Sequence, residues 1–203
     1  MKSLLLIRHG ETEWNSDRRI QGSVDIPLSE VGRAQAAAVA HDLAGQGFRA
    51  DKIFTSDLQR AAETGRILAD RLGVPEVMAT PLIRELNCGE WEGRYIDDLR
   101  QNDRAFYEAW LDDPALVLPG GESVLQVRTR VERFFETHMA QLDACESILI
   151  VAHGLINRMF LSVLLQVDPR RARYFSQDNT AVNLFSWRGP RVYCDRWNGT
   201  CHL

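Results

Sequence analysis

The sequence predicts an α/β protein, a three-layer α/β/α sandwich with a mostly parallel central sheet. Two aliphatic runs carry that expectation, residues 3–7 and Ser147–Ala152. Neither has a polar face, as suits central parallel strands covered on both sides. Each runs straight into a His-Gly pair, His9-Gly10 and His153-Gly154. Between them lie stretches with apolar residues at helical spacing, and strands alternating with helices pack as a sheet between helix layers.

The elements follow in order. Residues 1–7 form a short apolar run with one lysine, broken at Arg8; this is too short for the apolar region of a secretory signal or a bilayer span and reads as a buried strand. Ser29 is placed to cap an alanine-rich helix through Leu43, which Gly45 and Gly47 end. A short strand is expected at residues 52–55. The Ser56-Asp57-Leu58-Gln59 spacing resembles a capping box for a helix over 58–72, stopped by Gly73 and Pro75. From Ser123, the residues Val124, Val127, Val131, Phe134 and Phe135 lie along one helical face. Residues 155–165 are apolar nearly all round, as in a buried helix. Two β-rich runs, 182–187 and 191–197, close the chain around Arg188-Gly189-Pro190.

At 203 residues the chain is read as one domain over 1–203, with an inserted lobe at about 94–121 whose exit is marked by Pro114, Pro119 and a glycine pair. The composition, 45% hydrophobic and 26% charged, is that of a folded protein; a formal net charge of −4 argues against a broad basic nucleic-acid surface. Cys88, Cys145, Cys194 and Cys201 show no metal-binding spacing, so free thiols in a reducing cytoplasm are expected.

Chemistry is expected at the carboxyl ends of the strands, where open α/β sheets form their ligand crevice. There His9 and His153 could face one pocket, with Arg8 beside the first and Arg60 reaching in from a helix that follows another strand. Either His-Gly pair alone reads equally well as a structural turn. A metal bound by His9, His153 and Glu85 is a second alternative, but Arg8 is a poor neighbour for a cation. Guanidinium forks match phosphate or carboxylate oxygens, so the set points to an anion site.

Six ordered motifs resemble the histidine phosphatase superfamily, in its phosphoglycerate-mutase-like branch. They are Arg8-His9-Gly10-Glu11-Thr12 through Asn15, with Gln21-Gly22; Ser56 to Thr64; Arg84-Glu85 to Gly93; Pro119-Gly120-Gly121-Glu122-Ser123; Val151-Ala152-His153-Gly154; and Asp178-Asn179-Thr180-Ala181. The resemblance spans nearly the whole chain and implies a phosphoglycerate-mutase-like fold. It implies that His9 attacks phosphorus and becomes a phosphohistidine, with its other ring nitrogen donating a hydrogen bond. Arg8, Arg60 and His153 would be catalytic with it and would hold the phosphoryl oxygens together with Asn15, Gln21, Gly22 and Gly154. Glu85 would protonate the leaving alkoxide and then activate water. No cofactor and no metal is expected. The expected partner is a small phosphate ester, such as α-ribazole 5′-phosphate, phosphoserine, a phosphoglycerate or a sugar phosphate. No nucleic acid and no membrane is expected, and a homodimer is left open.

The short lobe and the Pro-Gly-Gly-Glu-Ser exit resemble phosphatases more than mutases of the branch, whose insertion is longer. A member that only binds phosphorylated metabolites would lack one of these groups, and all are present. His41, His138, Trp91, Trp110 and His202 are expected to be surface or packing residues, and Glu11 and Glu13 read equally as lining the pocket mouth or as solvated loop positions. Cys88, where many relatives have an aromatic or a histidine, is expected near the site.

Overall fold

The computed structural model describes residues 2–203; Met1, the first residue of the expected apolar run, lies outside the described residues. The chain runs β1 (Ser3–Arg8), α1 (Glu13–Ser16), α2 (Glu30–Gly45), β2 (Lys52–Ser56), α3 (Gln59–Leu72), β3 (Val77–Thr80), α4 (Ile96–Asn102), α5 (Arg104–Asp112), α6 (Val124–Asp143), β4 (Ser147–Ala152), α7 (Gly154–Leu165), α8 (Pro169–Ala172), β5 (Val182–Arg188) and β6 (Arg191–Gly199). One six-stranded sheet has the order β3-β2-β4-β1-β5-β6. The first four strands are parallel, β5 is antiparallel to β1, and β6 closes a hairpin with β5.

The two aliphatic runs take the centre. Leu4, Leu6 and Ile7 are fully buried, as is every residue of β4 from Ile148 to Ala152. Their side chains alternate between two cores, as period-2 geometry requires. Leu5, Ile7, Leu149 and Val151 face Val39, Leu43, Ala61 and Leu68 of α2 and α3. Leu4, Leu6, Ile148 and Ile150 face Val127, Val131, Phe134 and Phe160 of α6 and α7. Each fully buried aliphatic side chain contributes about 1.5–3 kcal/mol, so this alternation also fixes the strand register. A slip of one residue would exchange the two faces.

The expected cap at Ser29 is present, its Oγ accepting from Gly32 N, and Ser123 caps α6 in a reciprocal capping box with Gln126. The capping box expected at Ser56 does not form. Ser56 is the buried last residue of β2 and accepts only from Leu58 N at 3.3 Å. The helix begins two residues later than that box requires, and Leu58 at the cap has no side-chain acceptor. Asp25, from a distant loop, receives Gln59 N at 2.7 Å and Gln59 Nε2 at 3.0 Å instead. Gly73 ends α3 in the left-handed conformation, as expected. The inserted lobe contains α4 and α5, anchored by Leu99 and by Arg94 paired with Asp98 and Asp103.

Candidate active site

The register of the two central strands sets the site. Arg8 pairs with Ala152, and His9 N donates to Ala152 O at 3.0 Å, so the two His-Gly pairs emerge side by side. The rings of His9 and His153 are 5.1 Å apart between centroids and tilted by 59°. Gly10 is required sterically: a Cβ there would lie 2.3 Å from Gly32 O, where the loop after β1 meets the first turn of α2.

His9 Nδ1 lies 2.6 Å from Gly10 O. A carbonyl oxygen only accepts, so Nδ1 carries the proton and Nε2 keeps its lone pair. Burial, reinforced by the charges of Arg60 and Arg8, holds the His9 imidazole well below the usual histidine range. His153 is held well below that range by burial, Arg60, His9 and Arg8, and both its ring nitrogens are buried with no partner among the described residues. At neutral pH both rings are uncharged.

Arg60, on the first turn of α3, is buried and donates to Val24 O and Gly22 O at 2.8 Å each. Burial lowers its pKa to about 10, with Glu85 and Asp25 opposing, so it remains cationic at neutral pH. Arg8 donates to Gln177 O at 2.6 Å; burial lowers its pKa, with Glu85 opposing. The Nε atoms of Arg8 and Arg60 and the Oε1 of Gln21 are buried and unpartnered. A buried polar group without a partner costs about 1–3 kcal/mol, so this cluster of unsatisfied atoms around His9 marks the place for a polyvalent polar ligand.

Glu85 stands opposite, half-buried in the loop after β3. Its Oε1 accepts from Leu86 N at 3.0 Å and its Oε2 from Leu155 N at 3.1 Å, at the positive N-terminus of α7. Its chain neighbour Arg84 forks onto Asp57 at 2.7 and 2.6 Å. The Glu85 loop is buckled from behind by Arg130 of α6, which donates to the carbonyls of Leu82, Arg84 and Glu85. The same guanidinium pairs with both Glu122 oxygens at 3.0 Å, and Glu122 also accepts from Asn87 N at 2.9 Å.

One cavity of about 340 Å³ collects Arg8, His9, Asn15, Gln21, Gly22, Arg60, Glu85 and Gly154. All the expected site residues therefore converge, with His153 packed against His9. Asn15 uses Oδ1 for Thr12 N and Asn179 Nδ2, which leaves its own amide nitrogen available. Gly22 adopts a left-handed φ of +54°, and a Cβ there would lie 2.3 Å from Glu92 Oε1. Cys88 lines the cavity, and burial pushes its thiol pKa up. Arg19, Arg158 and Trp110 also line it and were not among the expected site residues. For Arg158 a signal existed: it stands four residues after Gly154, on the same helical face. His41 is exposed and His138 packs on Phe54 and Phe134, while His202 meets Thr180 Oγ1 at 3.0 Å. Among the described residues, no three His, Cys, Asp or Glu side chains are grouped to hold a metal ion.

A mostly parallel sheet with paired histidines and clustered arginines at the carboxyl ends of its central strands defines a class. The chain belongs to the histidine phosphatase superfamily (branch 1), whose model matches residues 4–200. It is similar to the probable phosphoglycerate mutase GpmB of Yersinia enterocolitica, 35% identical over 100% of this chain and 95% of the relative. Its fold is similar to that of a mycobacterial glucosyl-3-phosphoglycerate phosphatase solved with VO3, with a TM-score of 0.89, 27% identity, and coverage of 98% of this chain and 100% of the other. It is also similar to a phosphoserine phosphatase variant of Entamoeba histolytica solved with phosphoserine, with a TM-score of 0.86, 31% identity and full coverage of both chains.

Proposed function

We propose that this chain is a metal-independent phosphomonoesterase that hydrolyses a small phosphorylated metabolite through a phosphohistidine at His9. The observation that carries this reading is the hydrogen bond from His9 Nδ1 to Gly10 O, which leaves Nε2 unprotonated in a cavity lined by arginines and one carboxylate. In the first step the Nε2 lone pair attacks phosphorus and the ester P–O bond breaks. Glu85 donates a proton to the departing alkoxide. In the second step Glu85, now a carboxylate, takes a proton from water. The water oxygen bonds to phosphorus, the P–N bond breaks, and inorganic phosphate leaves.

Arg8, Arg60, His153 and the Asn15 amide hold the phosphoryl oxygens, with Gln21, Gly22 and Gly154 shaping the cradle. Phosphoryl transfer depends chiefly on positioning and charge stabilisation, which these groups supply before substrate arrives.

A mutase reading shares the first half-reaction and is favoured by the name of the Yersinia relative. It differs in returning the phosphoryl group to a second hydroxyl, which requires water to be kept out. Only two short helices, α4 and α5, make up the lobe beside the cavity, and this favours hydrolysis. The test supplies 3-phosphoglycerate with a bisphosphoglycerate primer and measures inorganic phosphate against 2-phosphoglycerate. Phosphate should dominate, with and without a chelator. Predominant isomerisation would overturn the phosphatase reading, and loss of activity on chelation would overturn the metal-independent one.

A further inference from the structure

Resting on the phosphomonoesterase reading, we propose that His202, in the turn that follows β6, is a positioning residue. It holds His9 and Asn15 in place through the loop Asp178-Asn179-Thr180. That loop, just before β5, grips the main chain at the end of β1. Thr180 N donates to Arg8 O at 3.1 Å and to His9 O at 3.3 Å, while Arg8 N donates to Ala181 O at 3.3 Å. Asn179 Nδ2 donates to His9 O at 3.1 Å and to Asn15 Oδ1 at 3.3 Å. The His9 carbonyl thus takes two donors from this loop. The same loop turns the Asn15 amide, so that its nitrogen is the atom left for the cavity that Asn15 lines.

The loop is held under tension. Thr180 is fully buried and left-handed, with a φ of +54°. A β-branched residue keeps that conformation only where its surroundings over-determine it. Its hydroxyl supplies one such restraint. The hydroxyl proton goes to Asn179 O at 2.7 Å, so the oxygen accepts on its other side, where His202 Nε2 stands at 3.0 Å. His202 therefore carries a proton on Nε2 and donates it. Among the described residues no other side chain reaches this oxygen. A second peg comes from the end of β6. Asn198, also at a φ of +54°, exchanges two bonds of 2.7 Å with Asp178, one to the side chain and one from the backbone amide. Asn198 fixes the entry to the loop, and His202 fixes its strained residue. Leu203 N closes the turn that presents His202 by donating to Thr200 O at 3.0 Å. Release of Thr180 would shift the amide that holds His9 O and carry Asn179 away from Asn15. In-line attack on phosphorus tolerates little displacement of either group.

The test measures hydrolysis of p-nitrophenyl phosphate by His202→Ala, well below its unfolding temperature. The kcat should fall about three- to tenfold, with KM changed less than about twofold. His202→Gln, whose amide donates at a similar reach, should restore most of the loss. His202→Phe, which fills the space without a donor, should not. Thr180→Val removes the acceptor at equal size, and adding His202→Ala to it should cost nothing further. An unchanged kcat in His202→Ala, a Phe variant as active as the Gln variant, or additive losses in the double variant would overturn the proposal. The NMR signal of the His9 Nδ1 proton, identified by its loss in His9→Ala, follows the geometry without turnover. It should shift in His202→Ala and return in His202→Gln. That shift with no phosphate released by any form keeps the positioning role and removes the phosphatase; full release with an unmoved signal in His202→Ala does the reverse.

Discussion

The floor of the cavity and its lobe side are built to different standards. On the floor, His153 is 0%, Arg60 1% and His9 3% exposed, and each sits at the end of a central strand or in the first turn of a helix. On the lobe side, α5 has no buried residue, and Tyr95 and Phe106 are 52% and 36% exposed. The floor is held by two hydrophobic cores; the lobe hangs on Leu99, edge-to-face aromatics around Trp91, and surface ion pairs of small individual worth. This division suits an enzyme whose phosphoryl chemistry is constant and whose substrate varies. The groups proposed to react are placed rigidly, while the groups that would meet the rest of the ester lie on elements that can change cheaply.

Substitutions on the floor should therefore abolish or cripple turnover. His9→Ala should reduce phosphate release from p-nitrophenyl phosphate by on the order of 10⁴-fold or more, since nucleophile and positioned donors act as a unit. Turnover near the unsubstituted rate would erase the distinction at its strongest point. Behind the floor, Arg130→Met should lower kcat by on the order of 10- to 100-fold with KM little changed, because the buckle sets the position of Glu85 without touching the ester. A change confined to KM would move Arg130 to the binding side.

Titration should expose the floor as well. His9 and His153 both have native pKa values well below the usual 6.5. Below pH 6.5 the unfolded chain takes up protons that the native chain does not. The stability these neutral rings allow is thus complete above pH 6.5 and is lost as pH falls toward their native values. The slope is about 1.4 kcal/mol per pH unit per histidine. Denaturant unfolding at pH 7.5, 6 and 5 should show the loss, and His153→Gln should roughly halve the slope. The smallest effect belongs to the lobe: Trp110→Phe should shift KM by about two- to fivefold in a substrate-dependent way, with the unfolding midpoint nearly unchanged.

The same division governs what could be read from the sequence. The floor was legible because its strands are unbroken aliphatic runs and its functional residues end them, a local pattern with one structural interpretation. The cap at Ser29 was legible for the same reason. Helix α3 was misread at its start because its cap, Asp25, arrives from 34 residues away. Strand β3 was not anticipated: it is a four-residue edge strand with one buried position and no run to display. The short helix α1, capped reciprocally by Thr12 and Asn15, lies inside a motif whose chemistry drew the reading away from its turn geometry. Arg158 required helical phase as well as identity. The Arg130–Glu122 buckle joins two segments through tertiary packing, and no spacing rule predicts it.

The strand order has a consequence for how this protein comes into being on the ribosome. β1, which carries Arg8 and His9, is synthesised first, yet its neighbours in the sheet are β4 and β5, from the last third of the chain. A nascent chain that has extended only through α6 holds His9 on an unpaired strand, with neither His153 beside it nor the amide of Leu155 to orient Glu85. Such long-range pairing is slow to form and leaves apolar edges uncovered in the interim. The proposed site is thus complete only late, once β4 and β5 have paired with a strand translated near the beginning. A truncated or stalled product carries His9 without the neighbours that the proposed chemistry needs.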